Sequence, residues 1–216
     1  MSASAAALRA VVCRLASVLL QYPSLEQEEA FDEIARAASQ LPEPRVRAAL
    51  VRFVADLRAA PLLARQEEYV RTFDFHQRAS LYLTYHLHGD QRTRGMALLR
   101  LKRLYEAAGL PYTGSELPDY LPAVLEFAAF AAAAHGARVL EELRLAIELV
   151  RAALRGQRSP YAALLDAVCA TLPALDRDQT EALRRLASEG PRSEKVGLEP
   201  FAPLDVMPSE ANGATR

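Results

Sequence analysis

Several residue types are scarce or missing in this chain of 216 residues. It has no tryptophan and only two cysteines, and its lysines are Lys102 and Lys195, so arginine carries almost all of the positive charge. The formal net charge of −1 removes bulk electrostatic attraction as a reason to bind nucleic acid. With 51% hydrophobic and 25% charged residues, the composition is that of a globular protein rather than a disordered one.

The chain also lacks a cysteine cluster and a long apolar run. Cys13 and Cys169 lie far apart, without a C-x-x-C motif, so we expect two buried, reduced thiols, as in a cytoplasmic protein. The chain has no run of about 18 uncharged apolar residues, the length needed to span a membrane, and we therefore expect no membrane insertion. Arg9 and Arg14 interrupt the apolar N-terminal stretch, which favours an amphipathic first helix over a signal peptide.

Apolar residues at helical spacing are abundant. Three stripes are formed by Val46, Leu50, Phe53 and Leu57, by Leu140, Leu143, Ile147, Val150 and Leu154, and by Tyr161, Leu165, Val168 and Leu172. Proline and glycine mark the boundaries, Gly136 among them, and Asp178 with Glu181 resembles a capping box. The sequence predicts one all-α domain of about nine or ten helices over residues 1–190, followed by a flexible C-terminal tail, residues 191–216.

The segment from Ser80 to Leu87 is ambiguous. Its alternating Leu-Tyr-Leu-Thr and its content of β-forming residues are typical of a strand. However, a lone strand has no partner in a helical domain, and Leu81, Tyr85 and His88 also fall on one helical face. We therefore predict a helix here.

Aromatic, histidine, acidic and arginine residues are concentrated between residues 66 and 127. Tyr69 and Phe73 are four residues apart with acidic residues beside them. Residues 116–122, Glu-Leu-Pro-Asp-Tyr-Leu-Pro, predict a rigid acidic turn that leads into a helix with Pro122 in its first turn. Carboxylates around an aromatic floor suit a groove for a basic amphipathic helix. The alternative is that the rings belong to the core and the carboxylates cap helices.

The helix predicted from residue 92 to 108 has an apolar and a basic side. Leu98, Leu101 and Tyr105 form the apolar stripe that should face the core. The basic side, which is either solvated or in contact with an anion or a partner, consists of Arg92, Arg94, Arg100, Lys102 and Arg103. Gly95 is expected to be a close packing point or a kink in this helix, with Asp90 or Thr93 as its cap.

A metal site is the first catalytic alternative. His86, His88 and Asp90 are close in sequence, but side chains two residues apart on a helix point about 200° apart, so both histidines could bind one ion only on a strand. Ser80 has no G-x-S-x-G context, and the chain has no P-loop. A small helical metal-binding or pterin-binding protein that uses His86, His88, Asp90 and nearby arginines therefore stays the alternative function.

Four ordered blocks in the window carry a family resemblance: YVRTFD (69–74), SLYLTYHLHGD (80–90), RGMALLRLKRLYEAAGL (94–110) and ELPDYLPAVLEFAA (116–129). They resemble the NarJ-type assembly chaperones of respiratory nitrate reductase, also called its delta subunit, within the TorD/DmsD group of redox-enzyme maturation chaperones. That group shares an aromatic-x-x-Φ-Phe element, which Tyr69 to Phe73 approximates with Thr72 at the Φ position. It also shares an E-x-P-D-H element, and here Tyr120 stands where His is common.

The resemblance implies a TorD-like all-helical, cytoplasmic, non-catalytic chaperone without a cofactor of its own. Its partner would be the apo catalytic (alpha) subunit of respiratory nitrate reductase, bound largely through its N-terminal leader and kept competent for molybdenum-cofactor insertion. Transient contact with the molybdenum cofactor or its delivery proteins is a further implied partner. The sequence leaves open whether the cofactor is contacted directly, which reductase is the client, and the oligomeric state.

We predict that the leader binds as a helix in a groove. Aromatic rings would give apolar contact, and carboxylates would meet basic residues of the leader. The predicted set is Glu68, Tyr69, Phe73, Asp74, Tyr82, Tyr85, His88, Asp90, Arg94, Glu116, Pro118 and Asp119.

Overall fold

Twelve α-helices make up most of residues 3–190, which are the residues that the computed structural model describes. Ten of these helices have seven residues or more, which confirms the predicted all-α fold and helix number. In chain order they are α1 Ala3–Leu19, α2 Leu25–Glu29, α3 Phe31–Ser39, α4 Pro44–Ala59, α5 Leu62–Phe73, α6 Leu83–His88, α7 Arg92–Ala107, α8 Leu121–Phe130, α9 Ala133–Glu142, α10 Arg144–Gly156, α11 Ala162–Ala170 and α12 Arg177–Glu189. A short 3-10 turn, Gln77–Ala79, precedes α6. The predicted tail, residues 191–216, lies outside the described residues.

The predicted apolar stripes form the core. All four stripe residues of α4 are buried where this helix packs on α3 and α11. The second stripe is also buried, but it spans two helices, because Leu143 ends α9 and precedes α10. Tyr161, Leu165 and Val168 are buried at α11, whereas Leu172 is only half-buried. Hydrophobic periodicity thus identified the faces that pack together.

The first helix is amphipathic, as predicted, and packs against α8. Its two arginines reach across to the neighbouring helices: Arg9 is buried and donates to the Ala133 carbonyl at 3.2 Å, and Arg14 pairs with Glu126 at 2.8 Å. Within residues 3–190, none of the helices combines the length and the apolar character that crossing a membrane requires.

Two predicted helix signals are wrong in position. Gly136 lies inside α9 rather than at a boundary. A glycine is needed there because a methyl group would lie 2.7 Å from the Ala128 carbonyl oxygen of α8. Its missing side chain lets α8 and α9 approach closely. The capping box of α12 is formed by Asp176 and Gln179, not by Asp178 and Glu181, since the helix begins two residues earlier than expected.

The two cysteines are buried and free, as predicted. Burial raises the pKa of both the Cys13 and the Cys169 thiol to about 12, so the reactive thiolate is disfavoured at neutral pH. Both thiols therefore serve as small apolar side chains of the core.

Candidate functional site

A short antiparallel bridge joins two of the sequence blocks that carry the family resemblance. Leu83 donates its backbone N–H to the Asp119 carbonyl at 3.1 Å, and Leu121 donates to the Leu81 carbonyl at 2.7 Å. Tyr82 and Tyr120 lie opposite each other between these bonds. The ambiguous segment is thus extended at Tyr82 and helical from Leu83 onward, so the predicted helix begins later than expected. The extended part has a partner, which the sequence analysis did not foresee.

Asp119 holds the bridge to the helices on either side. Its side chain is 0% exposed, and its Oδ2 atom accepts from the Thr84 backbone N–H at 2.9 Å and from the Thr84 hydroxyl at 2.5 Å. The carboxylate therefore satisfies a free N–H at the start of α6, where Tyr82 makes no side-chain cap. The other carboxylate oxygen, Oδ1, has no hydrogen-bond partner among residues 3–190.

Arg94 completes this arrangement from α7. Its Nε donates to the Thr84 hydroxyl at 3.2 Å, and a terminal guanidinium nitrogen lies 3.9 Å from Asp119 Oδ2. The guanidinium also lies over the Tyr85 ring, 5.8 Å from its centroid. Arg94 is therefore partly buried and engaged, not part of a solvated basic face as one alternative had it. We refer to residues 81–84 and 119–121, together with Arg94, as the bridge junction.

An exposed acidic edge borders the bridge junction. The Tyr82 hydroxyl donates to the exposed Glu116 carboxylate at 2.6 Å, and this bond raises the pKa of Tyr82 to about 12. The Tyr82 ring packs against Tyr120 with 5.6 Å between centroids. A hydroxyl that keeps its proton and a carboxylate that accepts from it place a fixed negative charge beside an aromatic surface.

One buried and one half-buried tyrosine hold the acidic turn in place. Tyr105 of α7 is 1% exposed and donates to the Pro118 carbonyl at 2.7 Å. Tyr112 donates to the Leu117 carbonyl at 3.4 Å. Pro118 is itself buried, so its contribution is to shape the turn rather than to face solvent.

Tyr69 and Phe73 belong to the aromatic core below the bridge junction. Their ring centroids are 4.7 Å apart, and Phe73 lies 4.9 Å from the Tyr161 ring. The Tyr69 hydroxyl donates to the Leu20 carbonyl at 3.1 Å and lies 3.3 Å from the Tyr120 hydroxyl. The structure therefore places these two predicted residues inside the fold, in line with the core alternative, and Tyr69 supports Tyr120 from below.

The remaining predicted residues are spread around the junction. Glu68 is partly buried, accepts from the Thr72 hydroxyl at 3.2 Å and pairs with Arg71. Asp74 and Asp90 are exposed, whereas Tyr85 and His88 are half-buried. Of the twelve predicted residues, four are buried: Tyr69, Phe73, Pro118 and Asp119.

The histidines of α6 do not converge. His86 is 5% exposed, and its Nε2 donates to the Ser80 carbonyl at 2.8 Å, since a carbonyl oxygen can only accept. Burial lowers the pKa of both His86 and His88. Within residues 3–190, no three His, Cys, Asp or Glu side chains are grouped so that they could hold a metal ion. The helical geometry of α6 thus separates the ligands that the metal alternative requires.

A groove runs beside the acidic edge, between α7 and residues 112–118. It has a volume of about 460 Å³, and Gly95, Leu98, Leu99, Lys102, Tyr112, Thr113, Gly114, Glu116, Leu117 and Pro118 line it. Three apolar side chains in or beside it are exposed: Met96 by 67%, and Leu99 and Leu117 by 42% each. We refer to this feature as the α7 groove.

Most of the α7 groove was not predicted from the sequence. Leu98 was expected to face the core, yet it is only half-buried and lines the groove together with Leu99. A second apolar face of α7 could have been predicted from Met96 and Leu99, which are three residues apart and lie outside the core-facing stripe.

Two other apolar depressions lie elsewhere on the surface. One has a volume of about 360 Å³ and lies between α1, α3 and α8, where Val11, Ala37 and Phe130 line it. The other, of about 580 Å³, lies between the 3-10 turn, α10 and the end of α12, and Phe75 and Leu186 line it. Neither contains any of the twelve predicted residues.

Comparison with known proteins identifies the family. The sequence profile described as "Nitrate reductase delta subunit" matches residues 28–167, which is more than half of the chain. The chain belongs to the nitrate reductase delta subunit family. The resemblance carried by the four sequence blocks is thereby confirmed.

Curated relatives agree with this family. Over 156 residues, the chain is 36% identical to a Bacillus subtilis protein named a probable nitrate reductase molybdenum cofactor assembly chaperone NarJ, with 72% of this chain and 85% of the relative covered. It is 35% identical to the nitrate reductase molybdenum cofactor assembly chaperone NarJ of Escherichia coli K12, with 70% of this chain and 65% of the relative covered. The nitrate reductase-like protein NarX of Mycobacterium tuberculosis H37Rv is 40% identical over 165 residues, and the chain spans 24% of its length.

Proposed function

We propose that this chain is a cytoplasmic assembly chaperone that binds the apo catalytic subunit of a nitrate reductase through its N-terminal leader and keeps it competent for molybdenum-cofactor insertion. The observation that carries the proposal is the 36% identity, across 72% of this chain, to a relative named as such a chaperone. The chain covers only part of NarX and of Escherichia coli NarJ, so its client and its activity are proposed here and are not taken over from those relatives.

The geometry favours recognition at the α7 groove and its acidic edge. An amphipathic helix needs an apolar floor and charges that complement its own. Leu99 and Leu117 supply apolar surface, and Glu116, fixed by the Tyr82 hydroxyl, supplies negative charge for a basic residue of the leader. Asp74 and Asp90 are exposed, and Asp74 interacts electrostatically with Tyr120 of the bridge junction, where it would add negative charge.

The buried members of the predicted set would act from beneath the surface. Asp119 holds the start of α6 and the bridge in place, and Tyr69 packs under Tyr120. A surface held by buried hydrogen bonds is preorganised, so less ordering entropy is lost when the leader binds. These residues would therefore affect binding through the shape of the junction, without touching the leader.

Chaperoning of this kind requires binding and release but no chemistry. Release once the molybdenum cofactor is seated needs only a difference in affinity between the two client forms. A micromolar dissociation constant, which corresponds to about −8 kcal/mol, would hold the apo subunit and still permit release.

The test is a calorimetric titration of the purified chain with a leader peptide. The peptide copies the first ~25 residues of the catalytic subunit from the same source, long enough for several helical turns. We expect saturable binding at micromolar concentration or tighter, weakened about tenfold by Glu116→Lys and more steeply lost with added salt. Glu181→Lys, at an exposed site on α12, is the matched control and should bind as the unmodified chain does. Absence of binding would remove the leader as the main contact.

A further inference from the structure

Gly95 is a glycine that the fold itself does not require. It is exposed in the first half of α7, where glycine costs helix stability relative to alanine. The expectation of a close packing point is wrong, since a methyl group built on Gly95 would meet no described atom within 4 Å outside its own stretch of helix. The predicted cap is also wrong, because Gln91 precedes α7 and no side chain caps it.

The fold does not explain why residue 95 is a glycine, but the position of Gly95 on the surface does. Gly95 lines the α7 groove together with Leu98, Leu99 and Leu117. Met96, its neighbour, is 67% exposed. Apolar side chains that stay exposed around a bare stretch of helix backbone are typical of a surface that a second helix covers. Glycine at the point of contact allows two helix backbones to come unusually close.

We propose that Gly95 is the crossing point for the client's leader helix, and that the absence of a side chain there determines which leader fits. This inference rests on the proposed function and specifies how the binding site selects its partner. The axes of packed helices are about 8–10 Å apart, depending on the side chains between them, and a glycine favours the lower end of that range. The leader would lay its apolar stripe between Leu99 and Leu117, with small residues where it passes Gly95.

The groove lining carries one exposed charge of each sign, which would set the direction of the bound leader helix. Glu116 and Lys102 line the same groove and are both exposed. A helix with a basic residue near Glu116 and no basic residue near Lys102 is therefore preferred, and that arrangement sets its direction. The Tyr82–Glu116 hydrogen bond makes the groove continuous with the bridge junction.

The experiment measures stability and leader binding on the same variants. Gly95→Ala should raise the melting temperature, because alanine is the better helix former and meets no atom. The same variant should bind the leader peptide more weakly, and Gly95→Leu should weaken binding by about tenfold or more. A merely structural glycine would not give opposite changes in stability and affinity.

Gly156→Ala is the matched control. Gly156 is the last residue of α10, lies outside the α7 groove, and has equally open space where its methyl group would be. This variant should bind the leader peptide as tightly as the unmodified chain.

The outcomes separate this inference from the proposed function. If the unmodified chain and Gly95→Leu bind the peptide equally well, the inference is wrong and the proposed function stands. If the unmodified chain does not bind the peptide, both are overturned. Circular dichroism of Gly95→Leu confirms that any loss of binding occurs in a folded protein.

Discussion

The helical core around α4, α10 and α11 and the bridge junction are built by different physical means. In the core, side chains such as Leu50, Ile147 and Val168 are 0% exposed and pack without polar partners. At the junction, a buried carboxylate, a threonine hydroxyl and an arginine hold short pieces of backbone together. Apolar packing suffices where long helices meet, whereas a short extended segment needs polar groups to satisfy its backbone.

This difference matters for function. The core side chains named above are fully buried, so they offer no surface for a partner to contact. The junction ends in a groove whose apolar side chains remain exposed next to an acidic edge. Under the proposed function, stability and recognition lie in different regions, and variants in each region should have separable effects.

The largest stability loss is expected in the core. Leu50→Ala removes a fully buried side chain of α4 and should lower the free energy of unfolding by roughly 2–5 kcal/mol. Chemical denaturation measures this loss. Under conditions where it remains folded, Leu50→Ala should bind the leader peptide with unchanged affinity. A large drop in its affinity would mean that the two regions are not separable.

A smaller stability loss, together with a loss of binding, is expected at the junction. Asp119→Ala leaves the Thr84 N–H buried without its partner and should lower the free energy of unfolding by roughly 1–3 kcal/mol. Leader affinity should fall as well, because Tyr82 and Glu116 lose their fixed position.

Thr84→Val serves as the matched control for Asp119→Ala. It removes the hydroxyl but keeps the backbone N–H bond to Asp119, so both effects should be smaller. Equal losses in the two variants would show that the backbone bond contributes little.

Protonation of His86 is expected to have the smallest effect. Burial lowers its folded-state pKa below the ordinary 6.5, so the unfolded chain takes up the proton first. The stability due to neutral His86 is therefore complete above about pH 6.5 and is lost as the pH falls toward the folded-state pKa.

Melting temperatures between pH 7.5 and pH 5 measure this linkage. His86→Gln keeps a donor for the Ser80 carbonyl but does not titrate, so its melting temperature should fall less over this interval. The groups facing His86 are the Ser80 carbonyl and the Asp119 charge. An equally steep fall in the variant would assign the acid sensitivity to other groups.

The sequence predicted the helices and their buried faces because periodicity is a local property of the chain. It also indicated the window that holds the junction, since Tyr82, Glu116 and Arg94 were among the predicted site residues. It could not decide which aromatic rings face inward, because Tyr69 is buried by contacts with Leu20 and Tyr161 that are far away in sequence.

Long-range pairing also explains the other differences. The partner of residues 81–83 is a segment beyond α7, so no local pattern could reveal the bridge. Gly136 and Gly95 both lie inside helices, yet a methyl group at Gly136 would meet Ala128 of α8, whereas one at Gly95 would meet no described atom within 4 Å outside its own stretch of helix. Only the packing of distant elements distinguishes a glycine that the fold requires from one that it does not.

Amide hydrogen exchange of the full chain, with and without the leader peptide, tests the division between core and binding surface most directly. We predict that the peptide slows exchange in residues 81–84, in α7 and in residues 110–121. Amides of α4, α10 and α11 should exchange at unchanged rates. Protection centred on the depression between α1, α3 and α8, or on the cavity beside Phe75, would contradict the account and move the binding site to that surface.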